Sequence, residues 1–244
     1  MFILILSIFI RLVTAGEDST PFFDSAVLEK NDLVDVQLLD STIAVHLAYA
    51  TADNFTGKNM YGTLTECYLR REAAEKLVMA RKLLTEKHPG YRLYVYDGLR
   101  PRRIQQYMWD LVKNTPQQSY VANPASGSIH NYGAAIDLTI ADEQENPIDM
   151  GTPFDYFDVK AQPRYETYFS DSGLIAGSNL APSVRKQIRA DIVKSGLLST
   201  ESRDNRLLLR SVMEEAGFVS IPNEWWHFNA FEKNVIRKRF TIIE

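Results

Sequence analysis

Two short segments, far apart in the chain, constrain it most: Ser128-Ile129-His130-Asn131-Tyr132-Gly133-Ala134-Ala135-Ile136-Asp137 in the middle and Glu224-Trp225-Trp226-His227 near the C-terminus. Each couples a histidine to a carboxylate at a short offset. Two imidazoles and one carboxylate form a usual ligand set for a catalytic zinc, which keeps a fourth position open for water. A further carboxylate, Glu224, is then placed to take a proton from that water. A fold that uses these residues together must bring the mid-chain pair within a side chain's reach of the C-terminal pair.

The other two of the four histidines do not fit such a site. His46 alternates with apolar neighbours in Ile43-Ala44-Val45-His46-Leu47. His88 precedes Pro89-Gly90 at the expected end of a helix, where a cation suits the helix dipole. Cys67 is the single cysteine, which excludes an intrachain disulfide and a cysteine zinc knuckle and leaves a small packed residue. With 244 residues, of which 45% are hydrophobic and 24% charged, the chain suits one substantial core. A formal charge of -4, with basic and acidic residues interspersed, offers no stripe for nucleic acid.

The N-terminus predicts a signal peptide over residues 1–15, ahead of one domain over 16–244. Phe2 to Ile10 is apolar except for Ser7, and Val13-Thr14-Ala15 presents small or medium residues for cleavage near Gly16. Arg11 follows the apolar run instead of preceding it. The run is far shorter than the ~20 residues that span a bilayer, and no cysteine near it could carry a lipid. Export, with a periplasmic destination and no stable membrane span after cleavage, is the expectation.

Leu33 to Leu39 and Ile43 to Tyr49 read as short strands around an Asp40-Ser41 turn. Apolar Ala73, Leu77, Ala80 and Leu84 recur near the helical period, so Arg70 to Lys87 reads as an amphipathic helix that Pro89-Gly90 terminates. Tyr91 to Tyr96 is strand-like. Asp97-Gly98 then bends the chain into a helix that starts near Arg100-Pro101 and runs to about Val112, which sets Arg100 at a strand-to-helix junction where anions are well met. His130 is expected on a loop or strand end, with Gly133 as a turn and Ala134 to Ile140 as a strand. Arg206 to Ala216 reads as a helix stopped by Gly217. A strand from Trp225 to Ala230 would put Trp225, His227 and Asn229 on one face and Trp226 and Phe228 on the other, with a bend near Asn223 bringing Glu224 to the metal. The architecture expected is α+β: a single domain whose central, mainly antiparallel sheet carries the zinc site, with helices outside.

At these residues the sequence resembles the zinc-dependent D-alanyl-D-alanine dipeptidases, within the wider group of D,D-peptidases that share Ser-x-His-x-x-Gly-x-Ala-x-Asp. The likeness extends to Tyr49-Ala50-Thr51-Ala52-Asp53-Asn54-Phe55-Thr56-Gly57-Lys58, to Tyr96-Asp97-Gly98-Leu99-Arg100-Pro101 and to Met150-Gly151-Thr152-Pro153-Phe154-Asp155. It implies that His130, Asp137 and His227 bind a single Zn2+, that Glu224 is the catalytic base and that Arg100 steadies the transition state. It also implies that Tyr49, Ser128 and Asp155 line the pocket of a small zwitterionic dipeptide, with Asp155 near the ammonium, joined by Tyr61 and Asp97. The D,D-carboxypeptidases of the group usually carry proline where Trp225 stands and lack the Asp53 to Gly57 loop, so D-Ala-D-Ala hydrolysis is favoured over trimming of peptidoglycan stem peptides. A zinc-stabilised module that holds a wall fragment without cutting it would need neither Glu224 nor Arg100. Between Asp158 and Arg203 the chain carries a longer polar segment than compact members, helical around Ser183 to Lys194, which could cover the site's mouth or decorate the surface.

Overall fold

The computed structural model describes residues 22–170, 173–174 and 181–244; the leader expected over 1–15 lies outside them. In chain order the regular elements are α1 (Ser25–Lys30), β1 (Leu33–Asp35), α2 (Val36–Leu39), β2 (Ala44–Val45), β3 (Tyr68–Arg70), α3 (Arg71–Lys87), β4 (Arg92–Asp97), α4 (Arg102–Val112), β5 (Ala135–Ala141), β6 (Phe169–Ser170), β7 (Gly173–Leu174), α5 (Pro182–Ser195), α6 (Thr200–Glu215), β8 (Val219–Ser220), β9 (His227–Asn229) and α7 (Lys233–Arg239). Among the described residues no helix is long and apolar enough to cross a membrane.

The main sheet has the order β2-β4-β5-β9-β8, and only the β2–β4 pair is parallel. The expected α+β class is therefore observed. Strand β5 sits at the centre and every one of its residues is buried, as a strand flanked on both edges and covered on both faces requires. Helix α3 lies along the sheet beside α6 and buries Ala73, Ala74, Leu77, Ala80 and Leu84, the stripe its periodicity predicts. Small alanines on that stripe let the helix approach the sheet closely.

Two expected strands are shorter than the sequence suggests. Leu33 begins a strand, but at Val36 the chain turns into α2, because the Asp35 carboxylate accepts a hydrogen bond from the Gln37 backbone N–H and caps that turn. Of its residues only Val36 is buried, while Leu38 is 83% exposed. Ile43 to Tyr49 likewise yields only the two-residue β2, followed by a 3-10 turn over Ala48–Ala50 that buries Tyr49. Helix α6 starts earlier than expected, at Thr200, with the Ser199 side chain accepting from the Ser202 N–H.

Candidate active site

The transverse register of the sheet assembles the site. Asp97 of β4 stands opposite Asp137 of β5, and Asp137 stands opposite His227 of β9, so three polar side chains form one row across three strands. A register shift between Val95 and Asp97 ends the β4 pairing there and releases the chain into the Gly98 to Pro101 junction.

That junction is laced to the turn carrying His130, a 3-10 turn over Ile129–Tyr132 closed by a capping box. The Ser128 side chain accepts from the His130 N–H, and the Asn131 side chain accepts from the Ser128 N–H. Gly133 ends the turn at φ +67°, and a Cβ there would lie 2.7 Å from Leu33 Cδ2. The Asn131 amide donates to the Arg100 carbonyl at 2.7 Å, and the Arg100 N–H donates to the His130 carbonyl at 3.2 Å. Gly98 is needed for closeness, since a Cβ there would meet Cys67 Sγ at 2.5 Å. Cys67 itself is buried, and burial pushes its thiol well above the usual range, as fits a packed residue.

His130, Asp137 and His227 offer ligand atoms that all lie within 4.8 Å of one another, and all three residues are buried. His227 Nδ1 is 2.9 Å from Asp137 Oδ1, His130 Nε2 is 3.3 Å from Asp137 Oδ2, and the two ring nitrogens are 3.1 Å apart. Their outer nitrogens decide what this means. His130 Nδ1 faces the Gly98 carbonyl at 2.8 Å, which can only accept, so Nδ1 carries the proton. His227 Nε2 faces the Asn229 side-chain oxygen at 3.0 Å in the assigned amide orientation and carries the proton likewise. In the neutral rings both inward nitrogens are then bare lone pairs, aimed at each other and at a carboxylate. Without a metal, three acceptors face one another across a buried site. A divalent cation satisfies all three donors at once, and outer hydrogen bonds of this kind are those that orient metal-binding imidazoles. The donor set fits a metal. Burial works to raise the Asp137 pKa, but the two histidines outweigh it and hold the carboxyl well below its ordinary value.

Glu224 stands beside the cluster, with Oε2 3.8 Å from His227 Nδ1. Pro222 and Asn223 lie in a bend, as expected, but the strand starts only at His227. This corrects the assignment of Trp226 to the far face: preceding the strand, it lines the same cavity as His227. Burial pushes the Glu224 carboxyl up to about 7, with Asp137 and Asp155 adding to the rise and His227 and Arg100 opposing it.

Across the cavity, Arg100 donates to Asp97 Oδ2 from Nε and Nη2 at 2.9 and 2.6 Å and to Gln105 Oε1 at 3.0 Å, and Nη2 lies 3.6 Å from Asp137 Oδ2. Tyr61 donates to the other Asp97 oxygen at 2.7 Å. Asp97 and Tyr61, expected to join the pocket lining, instead stand behind Arg100 and hold it. Both are almost fully buried, and neither lines the cavity. Gln105 escaped the sequence reading; its only signal was an amide on the buried side of α4.

Tyr49, Ser128 and Asp155 do line the cavity, which measures about 230 Å³. Tyr49 donates to Asp155 at 2.9 Å, and its ring lies beneath the Arg100 guanidinium at 5.0 Å. Asp155 adopts φ +57°, a left-handed conformation that aspartate tolerates better than most residues. Burial, with the charge of Asp137, pushes its pKa up to about 7 against the Tyr49 hydrogen bond. Phe55, Tyr120 and Phe157 also face the cavity; Tyr120 stacks on Phe157 at 5.0 Å, and Phe55 lies 5.1 Å from it. They come from three separate connecting segments; Phe55 lies in the Tyr49 to Lys58 stretch of the resemblance, while Tyr120 and Phe157 carried no sequence signal. The helix expected around Ser183 to Lys194 is present as α5, but no described residue between Val159 and Arg203 lines the cavity. His46 pairs with Glu145 at the surface and His88 caps α3, so both stay outside the site.

Donors for a metal beside a carboxylate of raised pKa, on an antiparallel-rich sheet, define a metallopeptidase centre. The chain belongs to the D-ala-D-ala dipeptidase family, peptidase M15, whose model matches residues 29–172 and 186–243. It is 33% identical over 200 residues to a D-alanyl-D-alanine dipeptidase of Escherichia coli K12, covering 82% of this chain and 85% of that protein. It is 30% identical over 197 residues to one of Enterococcus faecium, covering 74% and 82%, and 27% identical over 187 residues to one of Synechocystis, covering 66% and 68%. Residues 173–185, unmatched between these two stretches, fall in the long polar segment noted above.

Proposed function

We propose that the protein is a zinc dipeptidase that hydrolyses D-Ala-D-Ala to two molecules of D-alanine. The observation that carries this reading is the small cavity between the His130–Asp137–His227 cluster and Asp155. At about 230 Å³ it falls below the roughly 300–1,000 Å³ of drug-sized sites, and it suits a short zwitterion better than a stem peptide. His130, Asp137 and His227 would hold the zinc, which when bound acidifies a water and polarises the scissile carbonyl.

The remaining work falls to this chain's own groups. Glu224 takes a proton from the attacking water and returns it to the departing amine, a role that its place beside the cluster suits. Arg100, held rigid by Asp97 and Gln105, presents positive charge where the carbonyl oxygen becomes negative. Asp155 and Tyr49 receive the substrate ammonium, and Ser128 also lines the cavity. The leader-like N-terminus supports export to the periplasm, which N-terminal sequencing of the exported protein tests.

The deciding experiment incubates purified protein with D-Ala-D-Ala and, separately, with a stem pentapeptide, with and without chelator, alongside metal analysis. Alanine release from the dipeptide that stops with chelator and returns with Zn2+ is expected. Exclusive cleavage of the pentapeptide would establish the carboxypeptidase reading, and binding without alanine release would establish the non-catalytic one.

A further inference from the structure

The cavity has a polarity that the groups assigned so far do not complete. Asp155 supplies negative charge on the Tyr49 wall. Among the described residues, the cationic side chains that line the cavity beyond its histidines are Arg100, Lys233 and Arg237. Arg100 is already engaged by Asp97 and Gln105. Lys233 and Arg237 form no ion pair among the described residues, whereas Arg239 on the same helix pairs with Glu72 at 2.6 Å. They stand four residues apart on α7 and therefore share a face.

Their placement is fixed by packing. Ile236, between them in sequence, is fully buried in a cluster with Ile129, Tyr132, Ala134 and Ala135. This seats α7 on the turn that carries Ser128 and His130. The adjoining rim is tight at Gly127, which has φ +73° and where a Cβ would lie 2.6 Å from Ile242 Cδ1. Two unspent cations thus face the cavity on the Ser128 side, and the carboxylate for the ammonium belongs to another wall.

We propose that Lys233 and Arg237 receive the C-terminal carboxylate of the substrate, drawing the dipeptide in with its carboxylate toward α7 and its ammonium toward Asp155. This deepens the dipeptidase reading and rests on it. Both side chains are exposed at the rim, so their contribution is to capture and orientation, is screened by salt, and leaves the bond-breaking step alone.

The test compares wild type, the neutral double variant Lys233→Gln/Arg237→Gln and the charge-preserving Lys233→Arg/Arg237→Lys, with D-Ala-D-Ala and its C-terminal amide as probes. Neutralisation should raise KM for the dipeptide about five- to tenfold, leave kcat in place and flatten the fall of kcat/KM with salt. The charge-preserving protein should behave as wild type, and the amide should be indifferent to all three. Calorimetric titration of both probes into the same rim variants built on Glu224→Gln reads binding without turnover and should show the same pattern. Equal losses for dipeptide and amide, an unchanged KM, or a charge-preserving variant as impaired as the neutral one would each overturn the proposal. If wild type releases no alanine while the Glu224→Gln titrations still depend on the rim charges, the dipeptidase reading falls and this one stands.

Discussion

The two halves of the metal cluster are built differently. His130 and Asp137 lie on a turn closed by a capping box and on a strand hydrogen-bonded on both edges, with every residue of that strand buried. His227 and Glu224 lie on a three-residue strand and the bends before it. His227 itself pairs with Asp137 in the ladder, but Glu224 and Trp225 precede it, and side chains hold them instead. Trp225 donates from its backbone to the Ala161 carbonyl at 3.0 Å and from its indole to Thr152 at 2.9 Å, and Arg206 donates to the same threonine oxygen at 3.1 Å. The mid-chain pair is therefore fixed by the capped turn and the sheet, and Glu224, the proposed base, by a segment braced from α6. Metal retention and catalysis should be separable by mutation along this division.

The largest effects break the cluster itself. His130→Ala and Asp137→Ala should lose both metal and turnover. Glu224→Gln should keep near-stoichiometric metal and lose on the order of 1,000-fold in kcat. Metal analysis beside alanine release measures both, and an active Glu224→Gln protein would remove the base from the mechanism. Next comes the brace behind Arg100. Asp97→Ala strips the buried guanidinium of its bidentate partner and Tyr61 of its acceptor. It should cost about 3–5 kcal/mol of stability and about 100-fold in rate, with metal still bound. Denaturant unfolding and kcat check this, and a fully active, fully stable variant would show that Asp97 does not position Arg100. Thr152→Val tests the softer half. Losing the shared acceptor of Trp225 and Arg206 should cost about 1 kcal/mol, lower kcat several-fold and leave metal content unchanged. Metal loss in this variant would erase the proposed division between the two halves.

The same division tracks what could be read from the sequence. Helix α3, strand β4, helix α4 and strand β5 lie within two residues of expectation, because the α3 periodicity matches the face it buries and Pro101 and Gly133 mark where α4 and β5 begin. The ligands were legible because donor types at short offsets are chemically distinctive. Where local hydrogen bonding competes with periodicity, the reading fails: Asp35 caps a helical turn inside an apparent strand, and Trp226 precedes a strand that starts later than its apolar run suggests. Residues that act through a neighbour are the least visible. Tyr61 and Asp97 were expected in the pocket and brace Arg100 from behind, and Gln105 carried no usable signal. Cross-strand register fixes this role for Asp97, loop and helix packing fix it for Tyr61 and Gln105, and no local pattern encodes either.

The effect with least bearing on turnover lies away from the site, in the brace that supports Trp225. Glu166 is buried and paired with Arg210 at 2.5 Å; burial pushes its pKa up to about 7, while Arg210 and Arg206 pull it down. Because the folded protein holds this proton more tightly than the unfolded chain, whose carboxyl sits near 4.5, stability should fall as pH rises between these values and stay lower above 7. The loss is bounded by roughly 3 kcal/mol. Unfolding of wild type and Glu166→Gln from pH 4.5 to 8 isolates it, since the variant removes this titration and leaves the others. A wild-type curve that declines relative to the variant supports dominance of burial over the ion pair. A rise instead would mean that Arg210 holds the ionised carboxylate more favourably than water does, and the brace behind Trp225 would then strengthen, not weaken, toward neutral pH.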